Sequence, residues 1–319
     1  MNVISMSSGD FWMALLEAEA TLTLNITIGL AVGELILALG VVERFFAPLV
    51  PLLGRSGINE KIAAAMLLAA GSSRSAAALI SGAYANHEVT REEATLGTLS
   101  LSFPGYLRRW VGTATMASAI AGTAGFIFSL VLLLRSACRF AWVVAILVRR
   151  GRGRTVSGHM PPPPSSPEWR QRARKLGKML ARSLPWAWAF FALTYALVPL
   201  VDAFFTEHIA RLGFYSFIPA EGWAIAVSSL AHVTAALSSA SGAMASGALG
   251  VGQAVLALLV GNMVGSVTRT MRQNVGYWVG IFPKELIPGL LRWHFATTMI
   301  LEVVSIFIAW CAAGVSVFG

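Results

Sequence analysis

Long apolar segments are the feature that most constrains what this chain can fold into. Of its 319 residues only 12% are charged, about half the share found in a soluble globular protein. A membrane-spanning helix needs about 20 apolar residues; six segments reach that length, and two, at 94–107 and 249–264, are shorter. The six longer segments are residues 22–42, 62–84, 111–134, 184–205, 223–245 and 290–317. This pattern predicts an all-α polytopic protein of the cytoplasmic (inner) membrane.

The net charge of +9 comes from one segment, residues 149–183. Ten of the 24 basic residues lie there beside a single acid, Glu168, and a run of four prolines interrupts the segment. Because short basic loops stay in the cytoplasm, we predict a cytoplasmic linker between two membrane domains, 1–148 and 184–319. Basic residues beside a membrane meet anionic lipid head groups, so we expect lipid, and not nucleic acid, as the partner of this linker.

The two membrane domains contain an internal repeat. An ungapped offset of 160 residues aligns 76–109 with 236–269, and ten of these 34 positions are identical. The identities include Gly105 with Gly265 and Arg109 with Arg269. The sequence therefore predicts a duplicated membrane unit.

The distribution of charge also predicts how the two copies are oriented. Residues before Thr21 contain acids and no base, which favours an amphipathic surface segment outside the cytoplasm. Since the linker is predicted to be cytoplasmic, an odd number of crossings separates the two, and the second copy enters the membrane with opposite topology. Inverted-topology repeats with broken helices are typical of secondary transporters.

Polar residues in the middle of the segment 62–84 predict a re-entrant hairpin. Residues 71–76 read Gly-Ser-Ser-Arg-Ser-Ala, and a charge inside a membrane costs about 2.5–3.5 kcal/mol on insertion scales. We interpret this stretch as a hairpin tip that binds a solute, with Arg74 matched to an anionic group. The alternative is that Arg74 caps backbone carbonyls or reaches the membrane interface. The candidate ligands at this tip are Ser72, Ser73, Arg74 and Ser75.

The second copy carries a chemically different tip. The offset places His232 at the position of Ser72 and Thr234 at that of Arg74, and two unlike tips suit an asymmetric ligand. His232 is either a solute ligand, a proton carrier or a side chain bonded to a neighbouring helix. The candidate ligands at this tip are His232, Thr234, Ser238 and Ser239.

Proline and glycine predict a break in each of the two shorter helices, at 102–105 and at 262–265. Ser102 and Asn262 share one register just before the paired glycines and are candidate ligands in the midplane. Arg109 and Arg269 either close the site at its edge or anchor the helices at the interface.

Two embedded acids and one histidine are candidates for coupling transport to protons. Glu34 and Glu302 lie inside apolar segments, where an ionisable residue is a functional candidate by default. The competing interpretation is that each acid pairs with an arginine only to allow insertion. His232 is the third candidate.

Motifs of enzymes are absent from the sequence. It contains no metalloprotease, nucleophile-elbow or nucleotide-binding motif, and its five histidines are scattered. We therefore expect no enzymatic activity, no cofactor and no metal site.

Two stretches of the first copy, residues 69–77 and 92–106, resemble the nucleoside recognition (Gate) domain membrane proteins of bacteria and archaea. These proteins combine a Gly/Ser tip, a polar loop and a short helix that ends in a proline-containing turn. The resemblance implies two tandem Gate-like repeats and places the functional positions at the tips and at the breaks. Similar domains occur in ferrous-iron permeases, but an arginine at a tip, Arg74, is atypical for a protein that transports a cation. Neither tip carries a cysteine, the side chain that binds soft metals.

Two hypotheses of function follow from these patterns. The first is a homo-oligomeric transporter or permease for a small polar, anionic solute, nucleoside-like or another metabolite, with alternating access at the interface of the repeats. The second is a membrane scaffold or sensor that does not transport and acts through the basic linker.

Overall fold

The computed structural model describes residues 57–151 and 218–315, together with scattered residues between 12 and 31 and between 169 and 192. Every regular element in this part of the chain is a helix, which confirms the predicted helical class. By length and composition, two helical stretches are able to cross a membrane, Arg109–Arg150 and Ile287–Ala313. Most of the predicted linker, and Glu34, lie outside the described residues.

Two helices separated by one residue form the hairpin predicted in the first copy. Helix α1 spans Glu60–Gly71 and helix α2 spans Ser73–Ala85. Ser72 between them is extended, with φ −148° and ψ 101°, and its Oγ accepts a hydrogen bond from the amide of Ser75 at 3.2 Å. A serine in this position is a favourable N-cap, so the helix break follows directly from the sequence.

The next two helices continue the first copy. Helix α3 spans Arg91–Ser100 and begins with a capping box between Thr90 and Glu93. Helix α4 spans Ser102–Gly151 and is interrupted at Gly122, whose φ of +54° favours glycine. The limbs before and after this turn, 102–120 and 123–151, pack side by side, and Trp110 Nε1 of the first donates to the carbonyl of Ser129 at 2.8 Å. The predicted break at 102–105 is present one residue earlier, at Leu101.

The second copy repeats this order of elements. Helix α5 spans Ala220–Ala231, helix α6 spans Val233–Ala245 and helix α7 spans Val251–Arg269. A π-helix at Thr270–Val275 and helix α8 at Gly276–Ile281 continue α7, and helix α9 spans Ile287–Val315.

Helix bounds repeat at the same offset as the sequence. Adding 160 to the bounds of α1 and α2 gives the bounds of α5 and α6, and α3 and α7 begin at equivalent positions. The turns after α2 and α6 also agree, because His87 and its equivalent Gly247 both have positive φ, 59° and 74°. The duplication seen in the sequence is thus accompanied by equivalent local structure.

The predicted break at 262–265 is wrong. Helix α7 runs through these residues without interruption, and the irregular π-helix begins only at Thr270. The reason is that Pro104, which cannot donate a backbone hydrogen bond, is replaced in the second copy by Val264. Glycine at position 265 alone does not end a helix.

The two larger hydrophobic cores of the described helices each contain residues of both copies. In one core, Ile62 and Ile80 of the first hairpin pack with Phe282 and Leu290, around the turn between α8 and α9. In the other, the second hairpin packs with residues around the turn of α4, including Ile120 and Phe128. Among the described residues, each hairpin is therefore buried by the turn of the other copy, so the described part of neither copy has a complete core by itself.

Polar contacts join the two copies at one end of the helix bundle. Ser81 Oγ donates to the carbonyl of Ile281 at 2.7 Å, and the guanidinium of Arg91 donates to the carbonyl of Glu285 at 2.6 Å. Arg150, at the end of α4, forms an ion pair with Glu92 of α3. We call this the Arg150 end of the bundle.

Candidate functional site

A cavity of about 440 Å³ lies between the two copies. Its wall uses equivalent positions of both, because Ser73 and Val233, one at the start of α2 and the other at the start of α6, are related by the offset of 160. Helix α3, the limbs of α4, helix α7, the π-helix and helices α8 and α9 supply the rest of the wall. The cavity therefore lies where the two hairpin tips approach the long helices, as expected for a site at an interface of repeats.

A polar stripe with a spacing of four residues lines the cavity from the second copy. It begins in α7, continues through the π-helix and ends in α8. A strict spacing of four drifts around an α-helix of 3.6 residues per turn, and the wider turn of a π-helix reduces this drift. Such π-helical turns are frequent at functional sites. The stripe consists of Asn262, Ser266, Thr270, Asn274 and Trp278.

Glu302 of α9 is the acid of the cavity, and its side chain is 3% exposed. Its carboxylate accepts hydrogen bonds from Ser266 Oγ at 3.1 Å and from Asn262 Nδ2 at 3.4 Å. Polar neighbours of this kind let a buried carboxylate keep its charge.

Arg135, on the second limb of α4, brings unused hydrogen-bond donors to the cavity. Its Nε donates to Ser305 Oγ of α9. Its terminal nitrogens, Nη1 and Nη2, are buried, and neither has a hydrogen-bond partner among the described residues. A buried donor without a partner costs about 1–3 kcal/mol, so the arrangement favours a ligand that accepts from this guanidinium.

Arg139, one helical turn beyond Arg135, is fixed by hydrogen bonds to α9. Its Nη1 lies 3.2 Å from Thr298 Oγ1 and 3.3 Å from His294 Nδ1. Because the guanidinium only donates, Nδ1 of His294 accepts, and the ring is neutral with its proton on Nε2. That Nε2 lies 3.3 Å from Thr270 Oγ1 and 3.4 Å from the amide group of Asn274. His294 thus links α4 of the first copy to the π-helix of the second.

Of the side chains predicted to bind solute or carry protons, the structure brings some into the cavity and places others elsewhere. Those that line the cavity are Ser73, Ser102, Arg109, Asn262 and Glu302. Those described elsewhere are Ser72, Ser75, His232, Thr234, Ser238 and Ser239. The side chains of Arg74 and Arg269, and all of Glu34, lie outside the described residues.

Most residues of the two tips that do not line the cavity have local structural contacts; the exception is Ser238, whose buried Oγ has no hydrogen-bond partner among the described residues. The hydroxyl groups of Ser72 and Ser75 lie 2.9 Å apart, and Ser72 caps α2. His232 caps α6 in the same way, because its Nδ1 accepts from the amide of Thr234 at 3.1 Å. Ser239 Oγ donates to Ser228 Oγ at 3.0 Å and so joins α5 to α6. These geometries agree with a role in shaping the hairpins.

The sequence analysis missed the two arginines and the histidine of the cavity. Arg135 and Arg139 are spaced i, i+4 on the long apolar helix that precedes the linker, and this spacing inside an apolar run was an available signal. His294 was one of five scattered histidines, and only its contacts with Arg139 and Asn274 reveal its position in the cavity.

Within the described part of the chain, no group of three or more histidine, cysteine or acidic side chains is arranged to hold a metal ion. The chemistry offered by the cavity is instead hydrogen bonding and charge, from guanidinium, carboxylate, amide and hydroxyl groups. In comparisons with known proteins, no family model, no curated protein and no solved structure matches this chain.

Proposed function

We propose that this protein is a secondary-type membrane transporter that carries a small anionic solute through the cavity between its two repeats. The observation that carries the proposal is that Arg135, a residue of the cavity wall, has two buried donors, Nη1 and Nη2, without a hydrogen-bond partner among the described residues. An arginine with both terminal nitrogens available recognises a carboxylate or another oxyanion. An anion held there would lie between the repeats, where a relative motion changes its access.

An inverted arrangement of the repeats is part of the proposal, and contacts at the Arg150 end support it. Helix α3 of the first copy begins at this end, since Glu92 pairs with Arg150. The equivalent run of the second copy, from α7 to α8, finishes there, since the carbonyl of Ile281 contacts Ser81. Equivalent helices that run in opposite directions are what inverted-topology repeats require.

Placement in the cytoplasmic membrane rests on the apolar helices and on the basic linker. We propose that the Arg150 end faces the cytoplasm, because Arg149 and Arg150 open the basic segment. The first hairpin would then be re-entrant from this side. Each of its helices, with 12 and 13 residues, is about 18–20 Å long, a little more than half of a hydrocarbon core about 30 Å thick. The resemblance to Gate-domain proteins and the formation of a homo-oligomer belong to the same proposal.

Within this proposal Arg135 takes the role that the sequence analysis gave to Arg74. Helix α4 is the long helix of the first copy, whereas Arg74 lies in the first turn of α2. An arginine in a long packed helix is positioned by the contacts of that whole helix. Its hydrogen bond to Ser305 of the other copy fixes it further, which is the preorganisation that a binding site needs.

The experiment is uptake by proteoliposomes that contain the purified full-length protein and are offered a panel of radiolabelled organic anions. At least one anion should accumulate with the wild type, and Arg135→Gln should reduce its uptake at least about tenfold, because a charge-assisted bidentate contact is lost. Arg292→Gln is the matched control: it removes the same charge from an exposed position of α9 and should transport normally. Equal uptake by both variants, or no uptake of any anion, would contradict the proposal. In the latter case binding of anionic vesicles by the linker would favour the scaffold.

A further inference from the structure

The charges of the cavity indicate the class of anion that it takes, an inference that rests on the proposed function. Three buried or partly buried charged side chains contribute: Arg135, Arg139 and Glu302. The carboxylate of Glu302 acts electrostatically on both guanidinium groups. With Glu302 ionised, these three groups carry a net charge of +1, since two cations face one anion.

Neighbouring groups leave this balance unchanged. From α7 and the π-helix the neighbours are the neutral Asn262, Ser266 and Thr270, and on α9 itself His294 is neutral because its Nδ1 accepts from Arg139. From the first limb of α4 the neighbours are Tyr106 and Arg109; Arg109 is exposed and lies 6.0 Å from the centre of the Tyr106 ring, so it is not counted among the buried charges. The described interior of the cavity is therefore complementary to one negative charge.

The volume and the lining of the cavity favour a ligand larger than an inorganic ion. A water molecule takes up about 30 Å³ in the liquid, so a cavity of about 440 Å³ has the volume of roughly fifteen waters. Apolar side chains line part of the wall and offer nothing to a small hydrated anion. These are Leu99, Leu101, Leu132, Val233 and Leu301.

We propose that the cavity binds an organic monoanion and that Glu302 is the internal counter-ion that disfavours dianions. The carboxylate or similar oxyanion of the ligand accepts hydrogen bonds from Nη1 and Nη2 of Arg135. The apolar body of the ligand contacts the part of the wall that is lined by leucines. A dianion would leave one negative charge uncompensated beside the buried carboxylate of Glu302, which is costly. It is admitted only when Glu302 takes up a proton, and the cavity then carries a net charge of +2.

Hexanoate and butylmalonate are the probes, since butylmalonate is hexanoate with a second carboxylate on the same carbon. Their affinities for the purified full-length protein in detergent are measured by calorimetry near pH 7.5, where both probes are fully ionised. The wild type should bind hexanoate at least about tenfold more tightly than butylmalonate, a ratio set by one uncompensated charge at effective protein dielectric. Glu302→Gln, whose amide oxygen can accept from Asn262 and whose amide nitrogen can donate to the hydroxyl of Ser266, should decrease this ratio at least about tenfold. Glu302→Asp keeps the charge and should keep the preference for hexanoate.

A second measurement remains informative if Glu302→Gln fails to fold. Calorimetry of the wild type in two buffers of different ionisation enthalpy counts the protons taken up on binding. About one proton should accompany butylmalonate, because Glu302 is neutralised, and about none should accompany hexanoate.

The inference is overturned if the wild type binds neither probe, if Glu302→Gln leaves the ratio unchanged, or if both probes bind with the same proton uptake. Its failure is distinguishable from failure of the transport proposal. Charge-selective binding without uptake of hexanoate by proteoliposomes supports the binding site and contradicts transport. Arg135-dependent uptake of another anion, with no binding of hexanoate, supports transport and contradicts the ligand class.

Discussion

At the scale of single residues, hydrogen-bond partners distinguish Arg135, the proposed binding group, from Arg139, which has a structural role. Arg139 has acceptors on two side chains of α9, Thr298 and His294, so it joins the repeats. The terminal nitrogens of Arg135 lack acceptors in the described part of the chain, and the proposal assigns them to the solute. Two arginines one turn apart on the same helix thus have different roles, because the side chains that face them differ.

Close packing between helices depends on one glycine of the second copy. A methyl group added at Gly261 would lie 2.9 Å from Ala226 Cα and 2.7 Å from Ser229 Oγ, and a backbone atom cannot move aside without separating α7 from α5. We predict that Gly261→Ala lowers the free energy of unfolding in detergent by about 1–3 kcal/mol, as overpacking does.

The matched control for this prediction is Gly82→Ala in α2. A methyl group at Gly82 meets no atom within 4 Å, and alanine is the better helix former by about 0.5–1 kcal/mol. Denaturation should show the control to be as stable as the wild type or more stable. If the two variants change stability equally, close packing at Gly261 does not hold these helices together.

At the scale of elements, the one-residue break between paired helices defines both hairpins. The break at Ser72 depends on a side-chain cap that serves the first turn of α2. We predict that Ser72→Ala costs about 0.5–2 kcal/mol of stability, the usual effect of losing an N-cap, measured by thermal or chemical unfolding in detergent.

Ser75→Ala is the comparison that isolates the cap. It removes the hydroxyl contact with Ser72 at 2.9 Å but keeps the backbone amide that donates to Ser72 Oγ. Its effect should therefore be the smaller of the two. A larger loss of stability in Ser75→Ala would show that the cap does not determine the break.

Local signals predicted the helix breaks at the two tips, and they failed for contacts distant in sequence. Ser72 and His232 are visible as small or polar residues that interrupt apolar runs, and the structure breaks the helices at both. The expected break near Asn262 was inferred from glycine, whereas the proline of the first copy causes its break. The partnership of Arg139 with His294 spans 155 residues, and no local pattern encodes such a contact.

At the scale of the whole molecule, the two copies depend on each other for their cores and for the cavity. The turn between α8 and α9 packs on the first hairpin, and the turn of α4 packs on the second. Alternating access requires that contacts at one end open while the other end closes. In this account the contacts of Ser81 with the last residue of α8 and of Arg91 with the loop after α8 are the ones that must open at the Arg150 end.

We predict that a covalent link across this end stops transport. The exposed Cys138 and Cys311 are first changed to serine. Cysteines are then introduced by Ser81→Cys and Ile281→Cys, and a short bifunctional thiol reagent that a reductant cleaves joins them. Uptake by proteoliposomes should fall on linking and recover on reduction. The single variant Ser81→Cys, treated identically, should keep its uptake, and full uptake by the linked protein would argue against motion at this end.

The central claim is that an anion lies between the repeats, on the guanidinium of Arg135. The most direct test is an experimental structure of the full-length protein with a bromine-labelled aliphatic carboxylate. The account predicts that the carboxylate lies within hydrogen-bonding distance of Nη1 and Nη2 of Arg135, with the bromine-labelled tail against Leu101 or Leu132. A ligand bound only outside the helix bundle, or a cavity closed by side chains with Arg135 turned towards bulk water, would contradict it.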